Sequence, residues 1–235
     1  MSALRRSPCG GCRLDLNGEA VVARVSGALW IPGHRTLAAG DLHFEKGSAF
    51  GARGQLLPPY DTLATLDRLE AEVAALEPER LVLMGDSFHD GGAVNRLPET
   101  AVARIRALAQ RVEPVWLSGN HDPVPPEGLP GQVAETLAVG ALVLTHEPHS
   151  APVDGEVAGH LHPVASVKAY GARVRRRCFL TDGQRMILPA FGAYAGGLNA
   201  HDPAFGDLFA EPPTALIVGD GRIHAVRWQN LVAGV

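Results

Sequence analysis

Seven side chains that can bind metal ions follow five short apolar runs of the sequence. They lie in the segments Gly40-Asp41-Leu42-His43, Gly85-Asp86, Gly119-Asn120-His121, Thr145-His146 and Gly159-His160-Leu161-His162. A single Asp or His after a strand is usually a cap or turn residue, but five such segments in succession are not expected by chance. Carboxylate, amide and imidazole donors suit divalent Mn, Fe, Zn or Mg. Seven donors exceed the four that one tetrahedral zinc ion takes, so the pattern indicates two ions.

Strands and helices alternate in the half of the sequence that carries the first of these segments. Apolar runs at 36–40, 80–85 and 114–119 predict buried strands. Apolar residues spaced three and four apart predict helices at 61–76 and 99–111. This alternation is typical of a parallel sheet with right-handed crossovers, in which ligands bind at the carboxyl edge.

Local signals predict where the first helix begins and ends. Asp61 and Thr62 are candidate N-cap residues, and Pro78 is expected to end the helix. After Asn120 the pattern changes to short strands, predicted at 141–145, 155–158, 164–167, 186–188, 215–218 and 223–228. The turn Gly219-Asp220-Gly221 predicts a hairpin between the last two strands. We therefore expect one layered α/β domain over residues 1–235, with a β-rich part at 164–235.

Composition excludes several classes of protein. Apolar residues make up 46% of the 235 residues and the net charge is −4, so the chain is not a basic coat for nucleic acid. No apolar run is long enough to cross a bilayer, and none follows Arg5 and Arg6, so neither a membrane nor a signal peptide is expected. Three cysteines indicate a reducing compartment, and we predict a cytoplasmic protein.

The set of motifs resembles the calcineurin-like metallophosphoesterase superfamily over residues 37–163. The resemblance implies a β-sandwich flanked by helices, with layers in the order α/β/β/α. It also implies two metal ions, one held by Asp41, His43 and His162, and the other by Asn120, His146 and His160. Asp86 would bridge the two ions, and a hydroxide shared between them would attack phosphorus.

The same resemblance implies two catalytic histidines. His121 matches the histidine that meets the leaving group in the family, as a general acid or as a stabiliser of the transition state. Many members carry an aspartate three residues after the bridging Asp, whereas this sequence has His89 there. The double-strand-break-repair nucleases of the superfamily also carry a histidine at that place.

Further segments are similar to one bacterial group, the ligase-associated DNA damage response endonucleases (PdeM). They are Trp30-Ile31-Pro32, Arg175-Arg176-Arg177-Cys178-Phe179 and Leu188-Pro189-Ala190-Phe191-Gly192. The similarity implies a phosphodiesterase or endonuclease that acts on DNA in repair, with Mn preferred and a DNA ligase or helicase as partner. A phosphomonoesterase or small-nucleotide hydrolase remains an alternative. A non-catalytic interaction module is disfavoured because all seven ligand positions are intact.

A basic stretch follows the last metal-binding motif. Five positive charges lie within ten residues, at Lys168, Arg173, Arg175, Arg176 and Arg177. Alternation along a strand would place Arg173, Arg175 and Arg177 on one face and Arg176 on the other. These three arginines are predicted to contact substrate phosphates without reading sequence, unless the stretch is only a solvated face.

Overall fold

The computed structural model describes residues 4–55, 57–122, 128–169 and 171–233. Within these ranges, the first sheet has eight strands in spatial order along the chain: Arg5–Arg6 (β1), Cys12–Leu16 (β2), Glu19–Ala23 (β3), Leu29–Ile31 (β4), Thr36–Ala39 (β5), Arg80–Met84 (β6), Glu113–Leu117 (β7) and Gln132–Ala134 (β8). Neighbours are antiparallel from β1 to β5 and parallel from β5 to β8. The predicted parallel strands are confirmed as β5, β6 and β7.

The second sheet also has eight strands in the described residues: Thr136–Val139 (β9), Leu142–Thr145 (β10), Glu156–Ala158 (β11), Val164–Ala169 (β12), Ala172–Thr181 (β13), Met186–Ile187 (β14), Thr214–Val218 (β15) and Ile223–Arg227 (β16). Strand β11 runs parallel to β10 and β14. The predicted hairpin joins β15 to β16. The basic stretch, whose arginines were expected to alternate along a strand, lies in β13.

Four α-helices are described, at Lys46–Ala52 (α1), Asp61–Leu76 (α2), Ala93–Arg96 (α3) and Glu99–Ala109 (α4). Helix α2 has the predicted bounds, and α4 ends two residues before the predicted position. Leu66, Leu69 and Val73 of α2 are buried against the first sheet. The helix ends at Leu76, and the next residue, Glu77, adopts a left-handed conformation with φ 46° and donates its N–H to Val73 O.

The predicted cap of α2 was wrong. Tyr60 precedes the helix and makes no side-chain cap, and Asp61 and Thr62 lie in the first turn. Asp61 instead accepts a hydrogen bond from Gly47 N (3.1 Å), and Thr62 exchanges two with Glu45. These side chains are buried, so groups of the neighbouring segment compete successfully for them. They connect α2 to the chain that follows His43.

The two sheets pack face to face around a shared apolar core. Val82 of the first sheet and Leu144 and Phe179 of the second are fully buried in it. Helices α2 and α4 cover the outer face of the first sheet. The outer face of the second sheet is covered by the 3₁₀ helix Pro203–Phe205 and the residues after it. The fold is thus the predicted α/β sandwich, with helical layers of unequal size. No helix in the described ranges has the length and apolar character needed to cross a bilayer.

Candidate metal centre

The seven predicted ligands meet at one edge of the sandwich. Strands β5, β6 and β7 end just before Asp41, Asp86 and Asn120, and strands of the second sheet end just before the histidines. Six of the seven form two groups whose ligand atoms lie within 4.8 Å of one another: Asp41, His43 and His162, and Asp86, His146 and His160. The sheets therefore bring residues that are far apart in the sequence together in two candidate metal sites.

The backbone at this edge is unusual. Left-handed φ values occur at five of the ligands: Asp41 (57°), His43 (47°), Asp86 (45°), His160 (66°) and His162 (46°). Residues other than glycine rarely adopt this region, and when they do they tend to cluster at functional sites. Hydrogen bonds between the loops hold this backbone conformation. His43 N donates to Asp86 O (2.9 Å), and Asp41 N donates to Gly85 O (3.2 Å).

Two glycines of the motifs allow the ligands to approach one another. A Cβ atom on Gly85 would lie 2.4 Å from the ring of His146, and one on Gly159 would lie 2.6 Å from Asp41 Oδ2. Real Cβ contacts are never this short, so a side chain at either position would displace a ligand. The glycine in the Gly-Asp and Gly-His motifs thus makes room for the ligand of another strand.

The first group places two imidazole nitrogens and a carboxylate together. His162 Nε2 lies 3.1 Å from Asp41 Oδ1 and 3.4 Å from His43 Nε2. Burial, with the charge of His162, lowers the pKa of His43 to about 3. His43 is therefore neutral at physiological pH, the form in which a ring nitrogen can bind a metal.

The second group includes the amide of Asn120. His146 Nδ1 lies 3.0 Å from Met84 O, and because a carbonyl only accepts, the proton of the neutral ring is on Nδ1. His146 Nε2 is then free as a ligand. It lies 2.8 Å from Asn120 Oδ1, 3.3 Å from His160 Nδ1 and 3.4 Å from Asp86 Oδ1. Four potential ligand atoms thus converge on one place.

The electrostatics of the site favour a cation. Asp41 and Asp86 are buried, and among the described residues neither lies within ion-pair distance of a lysine or arginine. Burial opposes the charge of His146, but the hydrogen bond with Asp86 and the charge of Asp41 raise its pKa to about 9. Two buried carboxylates therefore attract positive charge strongly. The donors and their convergence fit two divalent cations.

His121 lies beside these groups and is oriented by a backbone carbonyl. Its Nδ1 is 2.9 Å from His89 O, so Nδ1 carries the proton, and Nε2 is 3.9 Å from Asp86 Oδ2. The His89 ring stacks on His121 with 5.7 Å between centroids and 19° between planes. His89 thus supports His121 through its carbonyl and its ring.

Asp122 belongs to the site and was not singled out by the sequence analysis. Its Oδ2 accepts a hydrogen bond from Phe88 N (3.1 Å), and its Oδ1 is buried without a hydrogen-bond partner. Burial, together with the charge of Asp86, raises the pKa of Asp122 to about 6. The residue holds the turn that follows Asp86. The signal that could have found it is its place directly after the segment Gly119-Asn120-His121.

The three predicted substrate arginines lie in different surroundings. Arg175 and Arg177 line a groove of about 280 Å³ that reaches His162. Arg173 lies outside this groove and donates a hydrogen bond to Ala233 O. Arg176 lines the groove as well as a second one that contains Lys168, so the predicted separation of faces does not hold for this long side chain.

Comparisons with known proteins agree with this geometry. Residues 34–178 match the Calcineurin-like phosphoesterase family. The chain belongs to this family and is a metal-dependent phosphoesterase.

Two similar solved structures are the nuclease MPE of Pseudomonas putida and Yfce, a phosphoesterase from E. coli. The nuclease is 29% identical, with a TM-score of 0.71 over 92% of this chain and 100% of its own. Yfce is 17% identical, with a TM-score of 0.40 over 82% of this chain and 98% of its own. No curated protein matches the sequence.

Proposed function

We propose that the protein is a two-metal phosphodiesterase that cleaves DNA. The observation that carries the proposal is the pair of adjacent nitrogen and oxygen ligand groups at one edge of the sandwich. The likeness to a nuclease along nearly the whole chain favours a diester substrate over a monoester. The groove beside His162 adds arginines where a polyanionic strand would pass.

The residues of the site divide into two sets of ligands. Asp41, His43 and His162 would hold one ion, and Asn120, His146 and His160 the other, with Asp86 shared between the ions. When bound, two divalent ions supply positive charge to the phosphate oxygens and lower the pKa of water. We propose Mn²⁺ on the resemblance to the bacterial endonuclease group, since the mixed donor set suits Mn, Fe, Zn or Mg alike.

His121 would assist departure of the leaving group. The bond from Nδ1–H to His89 O fixes the ring, and Nε2 faces the carboxylate edge of the site. In the protonated ring, Nε2–H can donate to the oxygen that leaves phosphorus. The side chain of His121 is 43% exposed, so a substrate can reach it.

A cytoplasmic location is part of the proposal and rests on the low cysteine count. The three cysteines are free in the structure, two of them buried. Cooperation with a DNA ligase or helicase in repair rests on the resemblance to the bacterial endonuclease group. Both are predictions to be tested on the cellular protein.

The function is tested by comparing three substrates with Mn²⁺, Mg²⁺ or Zn²⁺ added to metal-stripped protein. The substrates are supercoiled plasmid, bis-p-nitrophenyl phosphate and p-nitrophenyl phosphate. We expect nicked plasmid, and faster hydrolysis of the diester than of the monoester, with Mn²⁺ the most effective ion. Fast hydrolysis of the monoester with intact plasmid would instead identify a phosphomonoesterase.

A further inference from the structure

A groove next to the metal centre has the properties of a phosphate-binding site. It lies between helix α2 and strand β13 and is lined by Arg68, Arg175, Arg177, Ala193 and His162, among others. We call it the Arg68–Arg177 groove. His162 lines the groove and is also a candidate metal ligand, so the groove lies next to the metal centre.

In the part of the chain that the structure describes, the two arginines that name the groove donate to backbone carbonyls. Arg68 Nη2 donates to Phe191 O (2.6 Å) and its guanidinium lies 5.1 Å from the centroid of the Phe191 ring. Arg177 Nη1 donates to Ala190 O (3.3 Å). Within the described residues, neither arginine has a carboxylate at ion-pair distance. A guanidinium has five N–H groups, so most donors of both side chains are available to a ligand.

Other half-buried or buried arginines of the chain have acidic partners. Arg96 pairs with Asp90, Arg104 with Glu70 and Asp67, and Arg185 with Glu156. Burying a guanidinium without an anion is costly, and proteins usually avoid it. The missing partner in the Arg68–Arg177 groove therefore indicates an anion that comes from outside the chain.

The surroundings of the pair point to the same conclusion. Burial lowers the pKa of Arg68, and burial together with the charge of Arg68 lowers the pKa of Arg177 to about 10. Two like charges that disfavour each other would both be stabilised by an anion placed between them. Guanidinium groups match the oxygens of a phosphate in geometry as well as in charge.

We propose that the Arg68–Arg177 groove binds the phosphate next to the scissile one in a DNA strand. Arg68 and Arg177 contact its non-bridging oxygens, and Arg175 lies beside them. The inference rests on the proposed function, because a second phosphate exists only in a substrate with several phosphodiesters. It assigns Arg68 a role in substrate binding that the basic stretch alone did not suggest.

A second role of Arg68 is structural and has to be separated from binding. The carbonyl that it contacts belongs to Phe191, whose N–H donates to Gly40 O just before Asp41 (2.9 Å). Loss of Arg68 could therefore disturb a metal ligand. Such a disturbance would slow hydrolysis of every substrate to the same extent. Loss of a phosphate site would instead slow hydrolysis of substrates that have a second phosphate more than hydrolysis of substrates that have one.

The test compares a thymidine dinucleotide, which has one phosphodiester, with a thymidine trinucleotide, which has two. The measured quantity is the ratio of kcat/KM for the trinucleotide to kcat/KM for the dinucleotide. The double variant Arg68→Gln with Arg177→Gln should lower this ratio about tenfold, because it removes charged hydrogen bonds to the second phosphate. The matched control replaces Arg13 and Arg111, two exposed arginines, with Gln and should leave the ratio unchanged.

A binding experiment separates failure of the groove from failure of the proposed function. If the unaltered protein with metal cleaves neither these nucleotides nor plasmid, the proposed function is wrong. Fluorescence anisotropy with a labelled thymidine decamer then still tests whether the Arg68–Arg177 groove binds a phosphate. The double variant should bind the decamer about tenfold more weakly, and the salt slope should fall by about 0.7 for one lost phosphate contact to a single strand.

Arg177→Gln alone guards against misfolding of the double variant, because its bond to Ala190 is long and less important to the fold. The single variant should lower the nucleotide ratio by about threefold, half of the tenfold effect on a logarithmic scale. An equal loss on both nucleotides, or an unchanged ratio and decamer affinity, would overturn the inference. Either result would leave Arg68 and Arg177 as contacts to the chain segment behind Asp41.

Discussion

Two histidine–carboxylate clusters lie close together in the chain and differ in the source of their positive charge. His146 and His149 both follow strand β10. His146 contacts Asp86 in the metal centre, and His149 contacts Glu156. Buried Arg185 donates to the Glu156 carboxylate, whereas in the described residues no arginine or lysine pairs with Asp86.

The difference shows how a buried carboxylate for a metal is distinguished from one that supports the fold. Arg185 also donates to the carbonyls of Ala151 (3.0 Å), His149 (2.7 Å) and Leu208 (2.6 Å). The Glu156 cluster therefore contains its own cation and needs no other. The Asp86 cluster combines buried negative charge with imidazole nitrogens and, in the described residues, has no lysine or arginine, so a metal ion can replace the imidazole proton as its positive charge.

The largest effect is expected when the metal cluster loses its shared carboxylate. Asp86→Asn should reduce bound metal by more than one ion per chain and lower kcat/KM by about 10⁴-fold, because metal charge supplies several kcal/mol to the transition state. Metal content by mass spectrometry and hydrolysis of bis-p-nitrophenyl phosphate measure both. Two ions retained at full occupancy would show that Asp86 does not bridge them.

In the Glu156 cluster, loss of the cation should lower the stability of the fold instead of the metal content. Arg185→Ala leaves Glu156 buried without a cation and should lower the free energy of unfolding by about 3–5 kcal/mol. Urea unfolding measures the change, and the folded fraction should keep both metal ions. The double variant Arg185→Met with Glu156→Leu removes both charges and should recover a large part of the loss. Loss of metal in folded Arg185→Ala would contradict the separation of the clusters.

His121 is neither a metal ligand nor part of the Glu156 cluster, and a backbone carbonyl orients its ring. His121→Ala should keep two ions bound and slow hydrolysis of DNA by about 10²–10⁴-fold. The loss should be smaller for bis-p-nitrophenyl phosphate, since nitrophenolate leaves without a proton. Single-turnover rates on both substrates test this. Equal losses would assign His121 to stabilisation of the transition state instead of proton donation.

Local signals explain why much of this fold could be predicted. Each of β5, β6 and β7 is a short buried run that ends in a glycine or polar segment, and α2 carries an apolar stripe followed by Pro78. Parallel strands share one carboxyl edge, so the ligands after them were expected to meet. These inferences need only the sequence within about 20 residues.

Contacts between distant segments could not be predicted in this way. Arg68 and Phe191 are 123 residues apart, and nothing near either residue indicates the other. Asp61 and Thr62 looked like caps because a cap is the only role that local sequence offers them. His89 was selected for its side chain, whereas its carbonyl makes the hydrogen bond to His121, and every residue has a carbonyl. In all three cases, contacts with residues distant in the sequence determine the role of the residue.

The smallest effect is expected at His149, and it gives the sharpest comparison with His146. The side chain of His149 is 68% exposed, so its contact with Glu156 should contribute about 0–1 kcal/mol to stability. His149→Ala should therefore change unfolding little and keep both metal ions. His146→Ala, three residues earlier, removes a buried ring whose Nε2 faces Asn120 and should reduce bound metal by about one ion. Metal content of the two variants, measured after the same dialysis, is the decisive quantity. If His149→Ala also lost an ion, Glu156 and Arg185 would belong to the metal centre, and the internal cation would not separate the two clusters.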